Sequence, residues 1–242
     1  MKTAIVTGSA KGIGLAISKA LLARDFFVIM NYAHDKENAE KVREELSRSY
    51  AGKFGIIGQA LETKEDTDNF YNACAKLLMG GVDLLILNAG CTDRARWQEM
   101  TWEKFRHVMD VNVNAPAEII RRFDSRLNEG GNIIMISSAM SVYPHAVSVP
   151  YTVSKSAVNG LTLALVKEYC GRNIRVNAIL PGFVDTTWQK NKPEDQRQRI
   201  CDKVALHRFA EPEEIAEAVC AILDMKYLNG ALLPVDGGYC YR

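Results

Sequence analysis

Short apolar runs alternate with longer amphipathic segments along the whole chain. Continuous apolar runs are typical of strands buried on both faces, and apolar residues at three- and four-residue spacing are typical of the helices that cover them. The pattern predicts strands at 3–6, 26–30, 54–60, 83–87, 132–137, 174–180 and 231–235. It predicts helices at 13–23, 35–49, 65–79, 101–126 (with a bend near Pro116), 151–169 and 213–223.

This alternation predicts an α/β fold with a doubly wound parallel sheet of about seven strands and helices on both faces. No linker, low-complexity tract or short repeat interrupts it, so residues 1–242 are expected to form a single domain. In such sheets, ligands bind beyond the carboxyl ends of the strands. The residues that follow each strand are therefore the first candidates for a functional site.

Composition narrows the classes of partner. The 242 residues are 48% hydrophobic and carry a formal charge of +1, so bulk charge favours neither nucleic acid nor a membrane as partner. No segment is long and apolar enough for a signal peptide or a membrane span, which predicts a soluble cytoplasmic protein. The six cysteines form no C-x-x-C pair and do not cluster with histidines, so they are expected to be reduced thiols without a metal.

A glycine-rich turn follows the first predicted strand. Residues 7–14 read Thr-Gly-Ser-Ala-Lys-Gly-Ile-Gly and lead into a helix. Glycine lets the backbone approach a phosphate closely, and a helix N-terminus offers free N–H donors, so a pyrophosphate fits there. A turn that only packs helix against strand remains the alternative.

Further motifs follow in order along the chain, and together they carry a resemblance. They are Asn-Ala-Gly at 88–90, Tyr-x-x-x-Lys at 151–155, Pro-Gly at 181–182 and Asp-Gly-Gly at 236–238. With the glycine-rich turn they resemble the short-chain dehydrogenase/reductase family over essentially the whole chain. The resemblance is strongest to the 3-oxoacyl-acyl-carrier-protein reductases, and it implies a Rossmann-type fold and an oxidoreductase that uses a nicotinamide nucleotide.

The resemblance implies four catalytic residues: Tyr151 as proton donor, Lys155 beside it, Ser138 at the substrate carbonyl and Asn112 as holder of a water that links Lys155 to solvent. Residues at i and i+4 share a helix face, and an ammonium near a phenol is expected to lower its pKa from about 10. Ser137 is the alternative to Ser138, and Asn114 the alternative to Asn112. Taken alone, the tyrosine and lysine could equally be a surface pair.

The resemblance also implies the nucleotide-binding residues. They are Gly8, Ser9, Lys11, Gly12, Ile13, Gly14, Tyr32, Asn88, Ala89, Gly90, Tyr151, Lys155, Pro181, Gly182 and Thr186. The acid that binds an adenosine hydroxyl in NAD-dependent members is replaced by Tyr32, and Lys11 could pair with a 2′-phosphate, which predicts NADP(H) rather than NAD. Lys11 could instead be a surface lysine, and His34 or Glu62 could contribute at the adenosine end.

The motifs constrain the identity of the substrate less than that of the cofactor. Residues 183–206 are expected to form a lid, with Trp188 as an apolar contact or a packing residue, and residues 140–149, with Tyr143 and His145, another wall. Arg172 matches one arginine that docks acyl carrier protein in the family, but Glu129 reverses the other. Arg121, Arg122 and Arg126 could compensate.

The motifs and the resemblance together predict an NADPH-dependent reductase of a 3-oxoacyl thioester. The resemblance also implies a homotetramer built through helices near 101–126 and 151–169 and through the last strand. The alternatives are a short-chain enzyme for another small ketone, sugar or alcohol, and a non-catalytic NADP-binding regulator.

Overall fold

The computed structural model of the chain describes residues 1–144, 148–190 and 192–241. Within these residues a seven-stranded parallel sheet has the order β3-β2-β1-β4-β5-β6-β7. The strands are β1 (Lys2–Val6), β2 (Phe26–Tyr32), β3 (Phe54–Gly58), β4 (Val82–Leu87), β5 (Leu127–Ile136), β6 (Arg175–Pro181) and β7 (Leu232–Val235). The predicted α/β fold with a doubly wound parallel sheet is confirmed.

Helices cover both faces of the sheet. In the described residues they are α1 (Gly12–Ala23), α2 (Lys36–Tyr50), α3 (Lys64–Ala75), α4 (Trp102–Met109), α5 (Ala115–Phe123), α6 (Val149–Glu168), α7 (Thr187–Lys190), α8 (Glu194–Cys201) and α9 (Pro212–Asp224). Successive side chains of a strand point to opposite faces, so Ala4 and Val6 pack under α1 and α9 while Ile5 packs under α3, α5 and α6.

Two predicted elements differ from the structure for identifiable reasons. The single long helix expected at 101–126 is divided into α4 and α5 by a π-helical turn, Asp110–Asn114. Pro116 lies near the start of α5, where a missing N–H group is tolerated. Strand β5, predicted at 132–137, begins earlier, at Leu127. Gly130 and Gly131 let the chain continue the sheet there with a shift in register.

The described part of residues 183–206 contains α7 and α8, which the apolar pattern does not reveal. The helix α8 is almost wholly polar and has no buried residue among its eight, so no apolar stripe marks it. All six cysteines lie in the described residues and are free thiols. Among the described residues, no helix combines the length and apolarity that crossing a bilayer requires.

Candidate active site

The strand order reverses between β1 and β4, and a cleft of about 1020 Å³ opens beyond the carboxyl ends of the strands there. Most of the sequence-predicted site residues line it. These are Gly8, Lys11, Gly12, Ile13, Tyr32, Asn88, Ala89, Gly90, Ser138, Tyr151, Lys155, Pro181, Gly182 and Thr186. Ser9, Gly14 and Asn112 lie behind the wall of this cleft rather than on its surface.

The glycine-rich turn is held in shape from below by Asn88. The Asn88 side-chain amide donates to the carbonyl oxygens of Thr7 and Gly8 at 3.0 and 2.9 Å, and the backbone N–H groups of Asn88 and Ala89 donate to the Thr7 hydroxyl at 3.0 Å each. Gly8 has a φ of +60°, a conformation that a side chain disfavours. The ends of β1 and β4 therefore form one rigid platform.

Gly14 is required by packing rather than by contact with a ligand. A Cβ added there would lie 2.6 Å from the Asn88 side-chain nitrogen and 2.8 Å from the Ser9 Cα, and would also overlap the Gly8 carbonyl oxygen. Ser9 is fully buried, and its hydroxyl donates to the Val6 carbonyl oxygen at 2.8 Å. Both residues shape the turn from the inside.

The turn fits a phosphate group. The helix α1 begins at Gly12, and its N-cap is Lys11, whose side chain offers no acceptor, so no side chain of the described residues caps this helix end. Its first N–H groups therefore face the cleft without a protein side chain on them, at the positive end of the helix dipole. Thr186 closes the other side, since a Cβ at Gly12 would lie 3.2 Å from the Thr186 methyl group.

Sequence reasoning missed Asn31, which braces the same turn. This side chain is buried at the end of β2, accepts from the Gly8 N–H at 3.2 Å and donates to the Gln59 carbonyl oxygen at 2.9 Å. A polar residue within an otherwise apolar strand was the available signal, because buried amides are retained where they are fully bonded.

The adenosine end of the cleft carries charge of both signs. The Lys11 ammonium lies 3.7 Å from an Asp35 carboxylate oxygen, and His34 lies 3.3 Å from Glu62. The Tyr32 ring lies over Gly58, where an added Cβ would meet the phenolic oxygen at 2.5 Å. Lys11 is thus not the isolated cation that the sequence allowed.

Tyr151, Lys155 and Ser138 come together on the floor of the cleft. Ser138 is the second residue after β5, and the other two lie in the first two turns of α6. The Lys155 ammonium donates to the Ile136 carbonyl oxygen at 2.7 Å and lies 5.7 Å from the centroid of the Tyr151 ring. Burial lowers the pKa of Lys155 to about 8.

The structure distinguishes the two neighbouring serines. The Ser137 hydroxyl donates to the Lys155 carbonyl oxygen at 3.1 Å and to the Asn159 side chain at 2.7 Å, so it ties β5 to α6. The Ser138 hydroxyl instead faces the Tyr151 phenol. Burial raises the pKa of Tyr151 to about 12, and the hydrogen bond with Ser138 opposes this rise.

The two candidate asparagines also differ. Asn112 is buried in the π-helical turn, and its side chain accepts from the Cys91 N–H at 2.8 Å and donates to the Cys91 carbonyl oxygen and the Ser154 hydroxyl, each at 2.9 Å. Asn114 is exposed and donates to Asp110 at 2.7 Å. The Asn112 amide therefore joins the β4 loop to α6, and its role in holding a water stays a prediction.

The wall opposite the platform comes from the segment after β6. Phe183, Thr187 and Trp188 line the cleft, and the Trp188 ring centroid lies 6.1 Å from that of Tyr151. The expected wall at 140–149 contributes Met140 and Ser148, while His145 lies outside the described residues.

Three of the four arginines considered for docking a carrier protein form ion pairs within the fold. Arg172 donates to the Asp124 carboxylate at 2.8 Å and to the carbonyl oxygens of Asp124 and Leu127 at 2.8 and 2.7 Å. Arg121 pairs with Glu118, and Arg122 pairs with Asp68. Among the three arginines considered as compensation for Glu129, only Arg126 has no ion pair within the described residues.

Known proteins are similar to this chain over almost its whole length. Glucose 1-dehydrogenase 2 of Bacillus subtilis is 34% identical, with 98% of this chain and 94% of the relative covered. The 3-oxoacyl-[acyl-carrier-protein] reductase of Thermotoga maritima is 30% identical, with 98% and 97% covered. A crystal structure of a short chain dehydrogenase from Burkholderia cenocepacia in complex with NADP is 26% identical, with a TM-score of 0.92 and 99% and 98% of the two chains covered.

The model of the short chain dehydrogenase family matches residues 2–197, which include the glycine-rich turn, the Tyr151–Lys155 pair and most of the cleft. The chain therefore belongs to the short-chain dehydrogenase family of NAD(P)-dependent oxidoreductases.

Proposed function

We propose that this protein reduces a ketone to a secondary alcohol with NADPH, and that 3-oxoacyl thioesters are its substrate class. The proposal depends above all on one observation. A half-buried phenol, a serine hydroxyl and an ammonium converge at one end of a cleft whose other end is a glycine-rich phosphate cradle.

Each of these groups has a definite task in a reduction. Tyr151 protonates the carbonyl oxygen, and the Ser138 hydroxyl donates a hydrogen bond to the same oxygen as negative charge develops there. Lys155 binds the hydroxyl groups of the nicotinamide ribose and places a positive charge beneath the site. A bound nicotinamide nucleotide would supply the hydride.

The high pKa of the phenol fits the direction of this reaction. With a pKa of about 12, Tyr151 is protonated at neutral pH and ready to donate. An alcohol oxidation runs the same proton transfer in reverse, from the alcohol to the phenolate. The phenol therefore starts a reduction in the protonated form that the reaction consumes.

The preference for NADPH rests on the adenosine end. No carboxylate occupies the place of Tyr32, so none would repel a 2′-phosphate there, and Lys11 lines the cleft at the same end. The relative from Burkholderia cenocepacia was crystallised with NADP. Asp35 works against this preference because it pairs with Lys11.

The thioester assignment is supported by the Thermotoga maritima relative, whose name describes a 3-oxoacyl-carrier reductase. Delivery by an acyl carrier protein has less support, since Arg172 is bound to Asp124 and Leu127 and Glu129 is exposed. We therefore place the thioester itself in the proposal and treat the acidic carrier as a partner to be tested. The segment 183–206 serves as the lid.

A second candidate is the oxidation of a sugar. It is favoured by the 34% identity to a protein named glucose 1-dehydrogenase 2. Because the same residues would serve an oxidation in reverse, glucose with NADP⁺ is the natural comparison in any assay.

The proposal is tested by following NADPH absorbance with a panel of acetoacetyl-CoA, a carrier-linked 3-oxoacyl chain, neutral ketones, and glucose with NADP⁺. We expect oxidation of NADPH by at least the thioesters and a kcat/KM for NADPH well above that for NADH. Tight NADPH binding without turnover of any compound would indicate a regulator instead, and turnover of glucose alone would support the second candidate.

A further inference from the structure

The substrate end of the cleft, which we define as the part lined by Arg94, Tyr151, Trp188 and Lys192, has an excess of positive charge. Arg199 and Lys203 of the lid region also line the cleft, whereas its lining acids are Asp35 and Glu62 at the adenosine end. The whole chain has almost equal numbers of basic and acidic residues, 30 and 29. The excess is therefore local.

Arg94 lies beside the start of the helix that carries Tyr151. The Ser148 hydroxyl donates to the carbonyl oxygen of Asp93 at 2.7 Å and is bonded to the Thr92 hydroxyl at 2.9 Å. These bonds fix the residue before Arg94 against the first turn of α6, three residues before Tyr151. Arg94 thus lines the cleft from the segment that packs against the start of α6.

Lys192 approaches from the opposite wall. Its backbone N–H donates to the Gln189 carbonyl oxygen at 3.0 Å, which continues the turn of α7. Trp188 of the same turn contacts the Tyr151 ring. Arg94 and Lys192 therefore line the same cleft as Tyr151, and they are close enough for the charge of Arg94 to act on Lys192.

Protein acids do not neutralise these two cations. Within residues 1–144, 148–190 and 192–241, neither Arg94 nor Lys192 forms an ion pair, whereas Arg197 pairs with Asp185 and Arg199 with Asp195. Lys192 is half-buried, and burial together with the positive charge of Arg94 lowers its pKa. Two neighbouring cations that are not paired with an acid repel each other, and a bound anion would relieve that repulsion.

We propose that the ketone substrate carries its own anionic group, a carboxylate or a phosphate, and that Arg94 and Lys192 bind it while the carbonyl lies at Tyr151 and Ser138. This inference rests on the proposed function for the position of the carbonyl. It adds a requirement on the substrate, and it makes Arg94 and Lys192 the residues that determine specificity.

Two matched pairs of ketones test whether the substrate needs an anionic group, and they distinguish a carboxylate from a phosphate. Acetoacetate against ethyl acetoacetate tests a carboxylate, and acetoacetyl-CoA against its neutral N-acetylcysteamine thioester tests a phosphate. For each pair the readout is the ratio of kcat/KM for the anionic ketone to that for the neutral one. Calorimetric Kd values for the same compounds on the NADP⁺-bound enzyme give a second readout that needs no turnover.

The variants are Arg94→Gln and Lys192→Met, with Arg96→Gln and Lys190→Met as controls. The control residues are exposed neighbours that do not line the cleft. A hydrogen bond to a charged group is lost in each test variant, so the ratio for the favoured pair should fall at least about tenfold. Both controls should keep the wild-type ratio.

The outcomes separate this inference from the proposed function. A wild-type ratio at or below one in both pairs, or a ratio that Arg94→Gln and Lys192→Met leave unchanged, overturns the inference even if neutral ketones are reduced. If no ketone is reduced, the proposed function fails, and the Kd ratios still decide whether this end of the cleft selects an anion.

Discussion

Tyr151 and Lys155 share a face of α6 because they are four residues apart, and burial acts on both in favour of the uncharged form. It raises the pKa of the phenol to about 12 and lowers that of the ammonium to about 8. The sequence predicted that the ammonium would lower the pKa of the phenol. In the chain without a nucleotide, desolvation outweighs that effect, since the ammonium bonds to Ile136 and lies 5.7 Å from the ring centroid.

The lowered pKa of Lys155 predicts a pH dependence. The ammonium is present below its folded pKa of about 8 and is lost as the pH rises through it, whereas Tyr151 stays protonated to about 12. We expect kcat/KM for NADPH, which reports the free enzyme, to be level below pH 8 and to fall above it. A profile that is flat to pH 10 would contradict the charge assigned to Lys155.

The Lys11–Asp35 pair predicts a change in cofactor affinity. An Asp35→Asn variant keeps a residue that can cap α2 but frees Lys11 for a 2′-phosphate. Since an exposed pair is worth less than about 1 kcal/mol, the Kd for NADPH should fall by about threefold and that for NADH should stay the same. Asp25→Asn, which breaks the exposed pair with Lys53 on the other edge, is the control. Equal changes for both nucleotides would show that Lys11 does not bind the phosphate.

At the scale of single residues, the sequence predicted which residues belong to the site better than it predicted how their side chains are oriented. The motifs brought Tyr151, Lys155 and Asn88 to one cleft, but they left Ser137 and Ser138 as alternatives because both follow the same strand. Successive residues of a strand point in opposite directions, so only the fold decides which hydroxyl faces the phenol. Arg94 follows the Asn-Ala-Gly motif and Lys192 belongs to no motif, and only the tertiary structure shows that both line the cleft with Tyr151.

At the scale of elements, the β1–α1 turn is the most constrained part of the site. A Gly14→Ala variant places a methyl group against Asn88, Ser9 and the Gly8 carbonyl, none of which can move without opening the platform. Overpacking of this kind costs about 1–3 kcal/mol, so Tm should fall by several degrees and the Kd for NADPH should rise more than about tenfold.

Gly80→Ala is the matched control for the turn, since nothing lies within 4 Å of a Cβ added there. It should leave Tm and the Kd for NADPH close to the wild-type values. A Gly14→Ala variant that binds NADPH as tightly as this control would show that the turn tolerates a side chain.

The elements that the sequence did not predict have weak local signals. The π-helical turn at Asp110–Asn114 interrupts a continuous helical pattern, and it depends on the bonds of Asn112 to Cys91 and Ser154, which are distant in sequence. The helices α7 and α8 lack an apolar stripe. Strands buried on both faces, such as β4, were predicted to within about a residue because their composition follows directly from burial.

At the scale of the whole molecule, α6 presents an apolar face to solvent. Val149, Val153 and Leu163 are each more than two-fifths exposed, and Trp102 of the neighbouring α4 is 74% exposed. Their spacing puts the three α6 residues on one side of the helix. The homotetramer that the resemblance implies would cover this face, and that assembly stays a prediction.

A Leu163→Lys variant tests that assembly. A buried, unpaired ammonium is costly in an interface, so the variant should sediment as a smaller species than the wild-type protein. Met79→Lys, at an 88% exposed position on another surface, should not change the sedimentation coefficient. If the wild-type chain is itself a monomer at micromolar concentration, the interface assignment is wrong.

The proposed reduction depends on Tyr151 as the proton donor. Tyr151→Phe tests this role most directly because it removes one hydroxyl and keeps the ring beside Trp188. The measurement compares NADPH affinity with the rate of NADPH oxidation by the best ketone of the panel, for this variant and the wild-type protein. We predict an unchanged Kd for NADPH and a loss of at least about 10²-fold in kcat. Turnover of the variant within a few-fold of the wild-type rate would contradict the role of Tyr151 as the proton donor.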